Sequence, residues 1–569
     1  MQMPGEAMST RIEIVNPVAQ IARRSASAAA RPASLDGKRL GLFWNNKPGG
    51  NVALRWAGMR LRERFAGITV REYQGSVGSS TRYMTPADRE QIKAECDVVI
   101  GSTADCGSCT SWLINDMVQL EKLGIPTVSF TSRHFERDAR TTGDITGLAA
   151  IPLAIVEETF TSHTDAAIQA MVDTTIDQIV RSLTEPPPAV VREAIETAER
   201  ETIAGEDQLD CLERFNRLAI ERGWSDGFPL VPPTPDRVAR MLERAPMAPT
   251  SVIAEALYPG LGVATLEKIA VNGVMAGCRP EHMPVLVALV QAYVGTGAMG
   301  KTQAMSTGPN APLVMVSGPI VERLGFNNGT CALGPGAQSY VNTVVGRALR
   351  LILMNIGQAY PGRMDMDTIG TPNKYSFCVA ENHAKSPFEP WHVAQGFSAE
   401  QSTVSIALVY PGPDVHDMTS TTPEGLLDTI ASLTAHYRGT ASVGRWLYGG
   451  RAEPETGKKI LERNVILLAP DHARLIREHG WTRHQIGAYL YKASRMPFRN
   501  IYAQAVRDKA EALRKAYPEL MWLLDAPDTL VATAEDPSCY QCFVVGGEVG
   551  RSQYLFGGSE IATVAIEDW

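Results

Sequence analysis

The chain has no excess of positive charge: 54 Lys and Arg stand against 62 Asp and Glu, a formal net charge of -8. That balance argues against nucleic acid or an anionic lipid surface as partner. Long apolar runs are also missing. The longest, MPVLVALVQAYV near residues 283–294, falls well short of the ~20 residues of a spanning helix, so no membrane association is expected. Cysteine is sparse, nine in 569 residues, which is not the dense, paired framework of small secreted proteins. A reducing, cytoplasmic setting is the expectation. The twin arginines of IARRSASAAARPASLDGKR are followed by alanine and serine rather than by an apolar core, so residues 1–35 read as a flexible arm and not as an export signal. No fixed-period repeat is present.

What the sequence does contain is alternation. KRLGLFWN (38–45), ITVREYQ (68–74), CDVVIGS (96–102) and IPTVSFT (125–131) are short apolar runs. Between them lie NVALRWAGMRLRERF, TPADREQIKAE and SWLINDMVQLEKLG, which have helical spacing; the second opens with a threonine cap and a first-turn proline. IPLAIVEE supplies a last strand and TDAAIQAMVDTTIDQIVRSL a long closing helix. Strands alternating with helices of this length predict an α/β fold with a doubly wound parallel sheet over residues 36–185, Rossmann- or flavodoxin-like. TEPPPAV then breaks the chain, and 186–206 read as a linker helix. Residues 207–569 are expected to be a larger α+β region, of one unit or two, ending in a strand pair around CFVVGG and SQYLFGG.

The stretch GSTADCGSCTSWL (101–113) carries the most chemistry. In an open parallel sheet, the loops leaving the carboxyl ends of the strands meet at one edge, and ligands bind there. Four loops fall on that edge. Asn45, Asn46 and Lys47 follow the first strand, and Gln74 to Ser80, including Ser79 and Ser80, follow the second. The third loop runs from Ser102 to Cys109, with Ser102, Thr103, Ser108 and Thr110 as substrate contacts. Arg133 and His134 follow the fourth strand. A helix expected to begin near Ser111 places the Cys106/Cys109 pair just ahead of its positive end, where backbone N–H groups stabilise a thiolate. Cys106, farther out on the loop, is expected to attack and Cys109 to resolve. Arg133 and His134 are candidates to hold the charge or to carry a proton.

LDGKRLGLFWNNKPGGN and DVVIGSTADCGSCTSWLINDMVQLEKLGIPTV together resemble the UGSC family, named for a Sec-Gly-Ser-Cys motif in which many members carry cysteine for selenocysteine. Cys106 matches the selenocysteine position and Cys109 the motif cysteine. The resemblance implies a redox-active or nucleophilic sulfur at Cys106 and leaves the substrate open. A looser similarity is to the α/β selenoprotein subunits of glycine and proline reductases, whose other signatures this chain lacks. The expected function is therefore thiol redox or covalent thiol catalysis on a small molecule, by reductive or eliminative bond cleavage, with a thiol reductant as a second partner and homo-oligomerisation open.

Other readings stay in play. Cys539-Tyr-Gln-Cys542 is a second CxxC, so a four-cysteine zinc centre has to be weighed, although CYQCFVV has the pattern of a strand. No cofactor is fixed by the sequence. CVAENHAKSPFEPWHV gathers Glu381, His383 and His392, residue types that bind metal ions, and would support a metal-dependent lyase or hydrolase; satisfied structural histidines are the plainer expectation. In the glycine-rich centre, Asn328, Gly329 and Gly336 precede a helix start suited to an anion, and Cys331 is a second candidate nucleophile. A carrier that holds a sulfur or a metabolite on Cys106 without turnover is the third class.

Overall fold

The structure, a computed structural model, describes residues 10–22, 25–78, 81–188, 199–435, 444–504, 514 and 518–569. In chain order its first part runs β1 (Thr10–Val15), β2 (Arg39–Trp44), α1 (Gly50–Arg64), β3 (Thr69–Gln74), β4 (Val77–Gly78), β5 (Arg82–Tyr83), α2 (Pro86–Glu95), β6 (Val98–Ala104), α3 (Gly107–Lys122), β7 (Thr127–Ser132), α4 (Glu136–Thr146), β8 (Leu153–Val156), α5 (Asp165–Asp173), α6 (Ile176–Thr184) and β9 (Arg200–Gly205). Five of these strands form a parallel sheet in the order β3-β2-β6-β7-β8, the doubly wound α/β sheet expected from the alternation.

Local chemistry explains the elements. α1 buries Ala53, Leu54, Ala57 and Leu61 as a stripe at helical spacing, and they join Leu40, Leu42, Val98, Ile100, Val128 and Phe130 in one core. α2 begins at the predicted cap: Thr85 Oγ1 accepts from Asp88 N–H, the Asp88 carboxylate accepts from Thr85 N–H, and Pro86 fills the first turn. On the other face of the sheet, Leu113, Ile114, Met117 and Leu120 of α3 pack with Phe43, Val99 and Ala139.

Several expectations need correction. Residues 10–35, where described, are not a flexible arm. β1 pairs antiparallel with β9, Ile203 facing Ile12, and Ile14 and Val15 are buried in the second region's core. Farther on, Arg31 forms a buried ion pair with Glu121, 2.7 Å, and Leu35 is fully buried under the sheet. The alternation Ile12-Glu13-Ile14 is the strand signal behind the first part of this docking. β9 likewise replaces the end of the expected linker helix; residues 189–198 lie outside the described part. The closing helix is two, α5 and α6, broken at Thr174 and Thr175. α4 occupies what reads as a polar loop, because its buried residues include Asp138, Thr142 and Thr146 as well as Ala139 and Ile145.

The second region is built on a mixed sheet. Its strands run in the order Cys378–Ala380, Ala311–Ser317, Ser402–Tyr410, Arg551–Gly557, Asn464–Leu468, Tyr540–Val544, with Asp414–His416 and Ala562–Ile566 alongside. The two C-terminal strands are therefore not a pair: Asn464–Leu468 lies between them. Helices Leu266–Ala276, Met283–Gly295 and Tyr340–Asn355 cover one face of this sheet. Among the described residues no single helix is long and apolar enough to cross a membrane; the bent pair Pro280–Gly295 and Ala298–Ala304 passes on length and composition, but most of its side chains are in the core.

Candidate functional site

The connection from β2 runs to β3 on one side, and the chain then returns to β6 on the other, so the sheet reverses direction between β2 and β6. At such a switch point the two loops diverge and leave a crevice beyond the carboxyl ends of the strands. Here the two loops carry Asn45-Asn46-Lys47 and Asp105-Cys106.

Cys106 is the N-cap of α3, and its Sγ accepts a hydrogen bond from Cys109 N–H at 3.3 Å. The helix thus starts at Gly107, four residues before Ser111, and the whole motif forms its first turn. This corrects the expected placement of Cys106 out on the loop. The helix begins early because Gly107 and Ser108 are small and Thr110 N–H and Oγ1–H both donate to the Cys106 carbonyl, at 2.9 and 2.6 Å. Cys106 and Cys109 form a disulfide, with Cα atoms 5.3 Å apart. Their exposure differs: Cys106 is half-buried and Cys109 fully buried, with Thr81 Oγ1 3.4 Å from Cys109 Sγ.

The pair lies at the contact with the second region. A Cβ on Gly107 would come within 1.8 Å of the Met305 carbonyl oxygen and 2.8 Å of the Met366 side chain. One turn on, Trp112 Nε1–H donates to Thr302 Oγ1 at 2.9 Å and Lys301 Nζ lies 4.3 Å from the Trp112 ring centroid. Tyr83 stacks on the same indole, with ring centroids 4.7 Å apart. None of Met305, Met366, Lys301 and Thr302 carries a sequence signal, because they reach the motif only through tertiary packing.

Most of the residues expected to contact substrate are scaffold. Asn45 Nδ2 donates to the Thr103 carbonyl at 2.9 Å and its Oδ1 accepts from Thr103 N–H at 3.0 Å, which ties the β2 and β6 loops together. Asn46 is in the left-handed region, φ 70, and its Oδ1 accepts from Gln74 Nε2 at 3.0 Å. Ser102 and Thr103 bond each other at 2.9 Å. With Thr110 these side chains are buried; Lys47 and Ser108 remain half-buried. Ser79 and Ser80 lie outside the described residues. Arg133 and His134 are engaged with carboxylates: Arg133 is ion-paired with Glu157 at 2.6 Å, and His134 Nε2 lies 3.6 Å from Glu158, with both side chains more than half exposed. The carboxylates of the next loop, Glu157 and Glu158, hold both of them outward.

Burial shapes the electrostatics. The Lys47 ammonium is pushed down by desolvation, against the pull of Asp105 and with Arg445 adding to the fall. Asp105, whose Oδ2 accepts from Thr161 Oγ1 at 3.5 Å, is pushed up by desolvation against the Lys47 charge. Asp116, on the α3 face that meets β5, accepts from Met84 N–H at 3.1 Å, and burial raises its pKa from the ordinary 3.8 to about 7. A carboxyl raised in this way keeps a proton that the unfolded chain has released. Its contribution to stability is complete below pH 3.8 and is lost as the pH rises through about 7. Asp116→Asn is expected to flatten that part of the stability profile, as read from urea midpoints across the same pH interval.

The second cluster does assemble, at a separate place. The ligand atoms of Glu381, His383 and His392 lie within 4.8 Å of one another. Each is already engaged. Glu381 accepts from Trp391 N–H at 2.8 Å and from Ser317 Oγ at 2.6 Å, His383 Nε2 accepts from Gly318 N–H at 3.0 Å, and His392 Nδ1 meets Ser317 Oγ at 2.8 Å. An ion would have to displace these bonds, so the set fits a closed hydrogen-bond network around a buried carboxylate better than a coordination site. Asn328 belongs to the same place, its Nδ2 donating to the Glu381 carbonyl at 3.1 Å. Gly329 N–H donates to Asn327 Oδ1, and Gly336 opens the turn before helix Tyr340–Asn355. Cys331 is free and exposed. Cys539 and Cys542 are free, buried in a separate core and raised by burial, so the two CxxC pairs do not make one zinc centre.

No curated protein matches the chain. Residues 13–185 match the model of the UGSC family, and they carry the whole parallel sheet and the Cys106-Gly-Ser-Cys109 turn described above. Over residues 13–185 the chain is thus similar to the UGSC family.

Proposed function

We propose that the protein is a cysteine-dependent enzyme in which Cys106 attacks a small molecule and Cys109 resolves the adduct. One observation carries this reading: the two sulfurs lie at bonding distance in the first turn of α3, at the switch point of the sheet, with Cys106 half-buried and Cys109 fully buried. An incoming electrophile meets Cys106 first, and the thiolate it needs is stabilised by the helix start. The Cys106 thiolate forms a bond to the electrophilic atom and expels the leaving group with its electron pair. Cys109 then attacks Cys106 Sγ, forms the disulfide and releases the remaining fragment with the second pair. The substrate gains two electrons and the protein loses two; an external thiol reductant restores the dithiol. A reducing compartment such as the cytoplasm suits this cycle.

The thiol pKa tests the reading. In the reduced protein, iodoacetamide is expected to alkylate Cys106 with a midpoint clearly below the ~8.5 of a free thiol and ahead of the other cysteines. A midpoint at or above that value, located by peptide mass spectrometry, would overturn the proposal. A carrier without turnover would instead keep a stable adduct on Cys106 whatever reductant is supplied. A metal-dependent lyase or hydrolase on Glu381, His383 and His392 would show stoichiometric zinc or iron with full activity in Cys106→Ser, an outcome that their closed hydrogen-bond network argues against.

A further inference from the structure

We infer that the crevice beside Cys106 receives the anionic group of a small-molecule substrate, with Lys47 and Arg445 as its charged partners. The inference rests on the thiol reading above and names the substrate class for that site.

Cations outnumber carboxylates around this crevice. Arg82, Arg445 and Arg451 are each less than a tenth exposed, and Lys47 is half-buried. Facing them are Asp105 and Glu462. Arg445 Nη1 and Arg451 Nε both donate to the same oxygen, Glu462 Oε1, at 2.9 and 2.6 Å, so one carboxylate serves two guanidinium groups. The Lys47 ammonium lies in the fields of both Asp105 and Arg445, and among the described residues its Nζ has no hydrogen bond or ion pair. Arg82 Nη1 is spent on the Gly75 carbonyl at 3.2 Å; the other three cations, Lys47, Arg445 and Arg451, against two carboxylates leave one excess positive charge, an arrangement that invites a further anion.

The backbone adds to this. α1 and α3, of 15 and 16 residues, both begin at the crevice, and neither has an acidic side chain in its first turn. Gly49, the N-cap of α1, makes no side-chain cap; Gly50 N–H is taken by the Lys47 carbonyl at 3.2 Å, and this turn packs against Ser102 and Thr103 of the facing loop. The elements that bring in the arginines are local to the site. Arg82 N–H donates to the Asn45 carbonyl at 2.9 Å, and a Cβ on Gly449, just after the turn Arg445–Tyr448, would sit 3.9 Å from Arg82 Nη2. Asp105 places this field one residue from Cys106.

The test uses three symmetrical disulfides of similar length: dithiodipropionate, which ends in carboxylates, bis(2-hydroxyethyl) disulfide, which is uncharged, and cystamine, which ends in ammonium groups. In each case the Cys106 thiolate attacks one sulfur and expels a thiolate; Cys109 then closes the protein disulfide and expels the second. The protein is oxidised by two electrons and the probe reduced to two thiols. Each rate is divided by that of the same disulfide with free cysteine. Dithiodipropionate is expected to exceed cystamine by about tenfold or more, with Lys47→Gln bringing the ratio towards one and Lys47→Arg keeping it. Calorimetric titration of Cys106→Ser with dithiodipropionate is the second arm. Binding is expected there, weakened about tenfold by Arg445→Met. Equal normalised rates together with no binding would overturn the anion site and leave the thiol reading standing. Binding without any reaction in the unmodified protein would uphold the anion site and overturn the thiol reading.

Discussion

Replacing Cys106 by serine is expected to lower thiol-dependent turnover by about a thousandfold or more, while Cys109→Ser should leave the first covalent step intact and trap it. The asymmetry follows from position. Cys106 caps α3 and is half-buried, so it is the sulfur an outside molecule can reach; Cys109 is fully buried and reaches only Cys106. With bis(2-hydroxyethyl) disulfide, Cys109→Ser should hold one mercaptoethanol on Cys106, visible by mass spectrometry. The unmodified protein should pass on to its internal disulfide and hold none. Cys106→Ser should hold none at this turn. Serine is a good N-cap, so the reduced Cys106→Ser protein should keep its stability within about 1 kcal/mol, which separates loss of chemistry from loss of fold. A stable adduct on Cys109 in Cys106→Ser would reverse the assignment.

The second large effect is structural. Gly107 stands at the first position of α3, where alanine would favour an isolated helix by up to about 1 kcal/mol. In the folded protein the added methyl would meet the Met305 carbonyl oxygen at 1.8 Å, and a backbone oxygen cannot swing aside. Gly107→Ala is therefore expected to destabilise the protein, by about 3 kcal/mol, against its own helix propensity. Urea unfolding gives the size, and the iodoacetamide rate at Cys106 gives the place: a contact between the two regions pushed open at this turn should make the sulfur more accessible. Unchanged stability would mean that the close approach to Met305 is absent in solution.

The amino-terminal sheet was legible because its signals are local. Period-two runs, helical stripes such as Ala53-Leu54-Ala57-Leu61, and the Thr85-Pro86 cap are written within a few residues of each other. The motif cysteines were legible by the same rule. The site's other wall was not. Arg445, Lys301, Met305 and Met366 come from chain far downstream and are placed by docking, which leaves no periodic trace. α4 was missed because Asp138 and Thr142 break its apolar pattern, and both are nevertheless buried. Asn45, Ser102, Thr103 and Thr110 have the polarity expected of substrate contacts, yet they are spent on holding the loops together. Residue type gives a side chain's bonding capacity; only the three-dimensional arrangement decides where it is used.

The β1–β9 ladder gives the molecule an unusual chain path. Residues on either side of the UGSC-like sheet are zipped to each other and set into the downstream core, so that unit is looped out of its neighbour and both its ends leave and return at one anchor. A single cut between the two units would therefore free neither half, and the crevice that holds Cys106 would stay closed over both its walls after the chain had been severed.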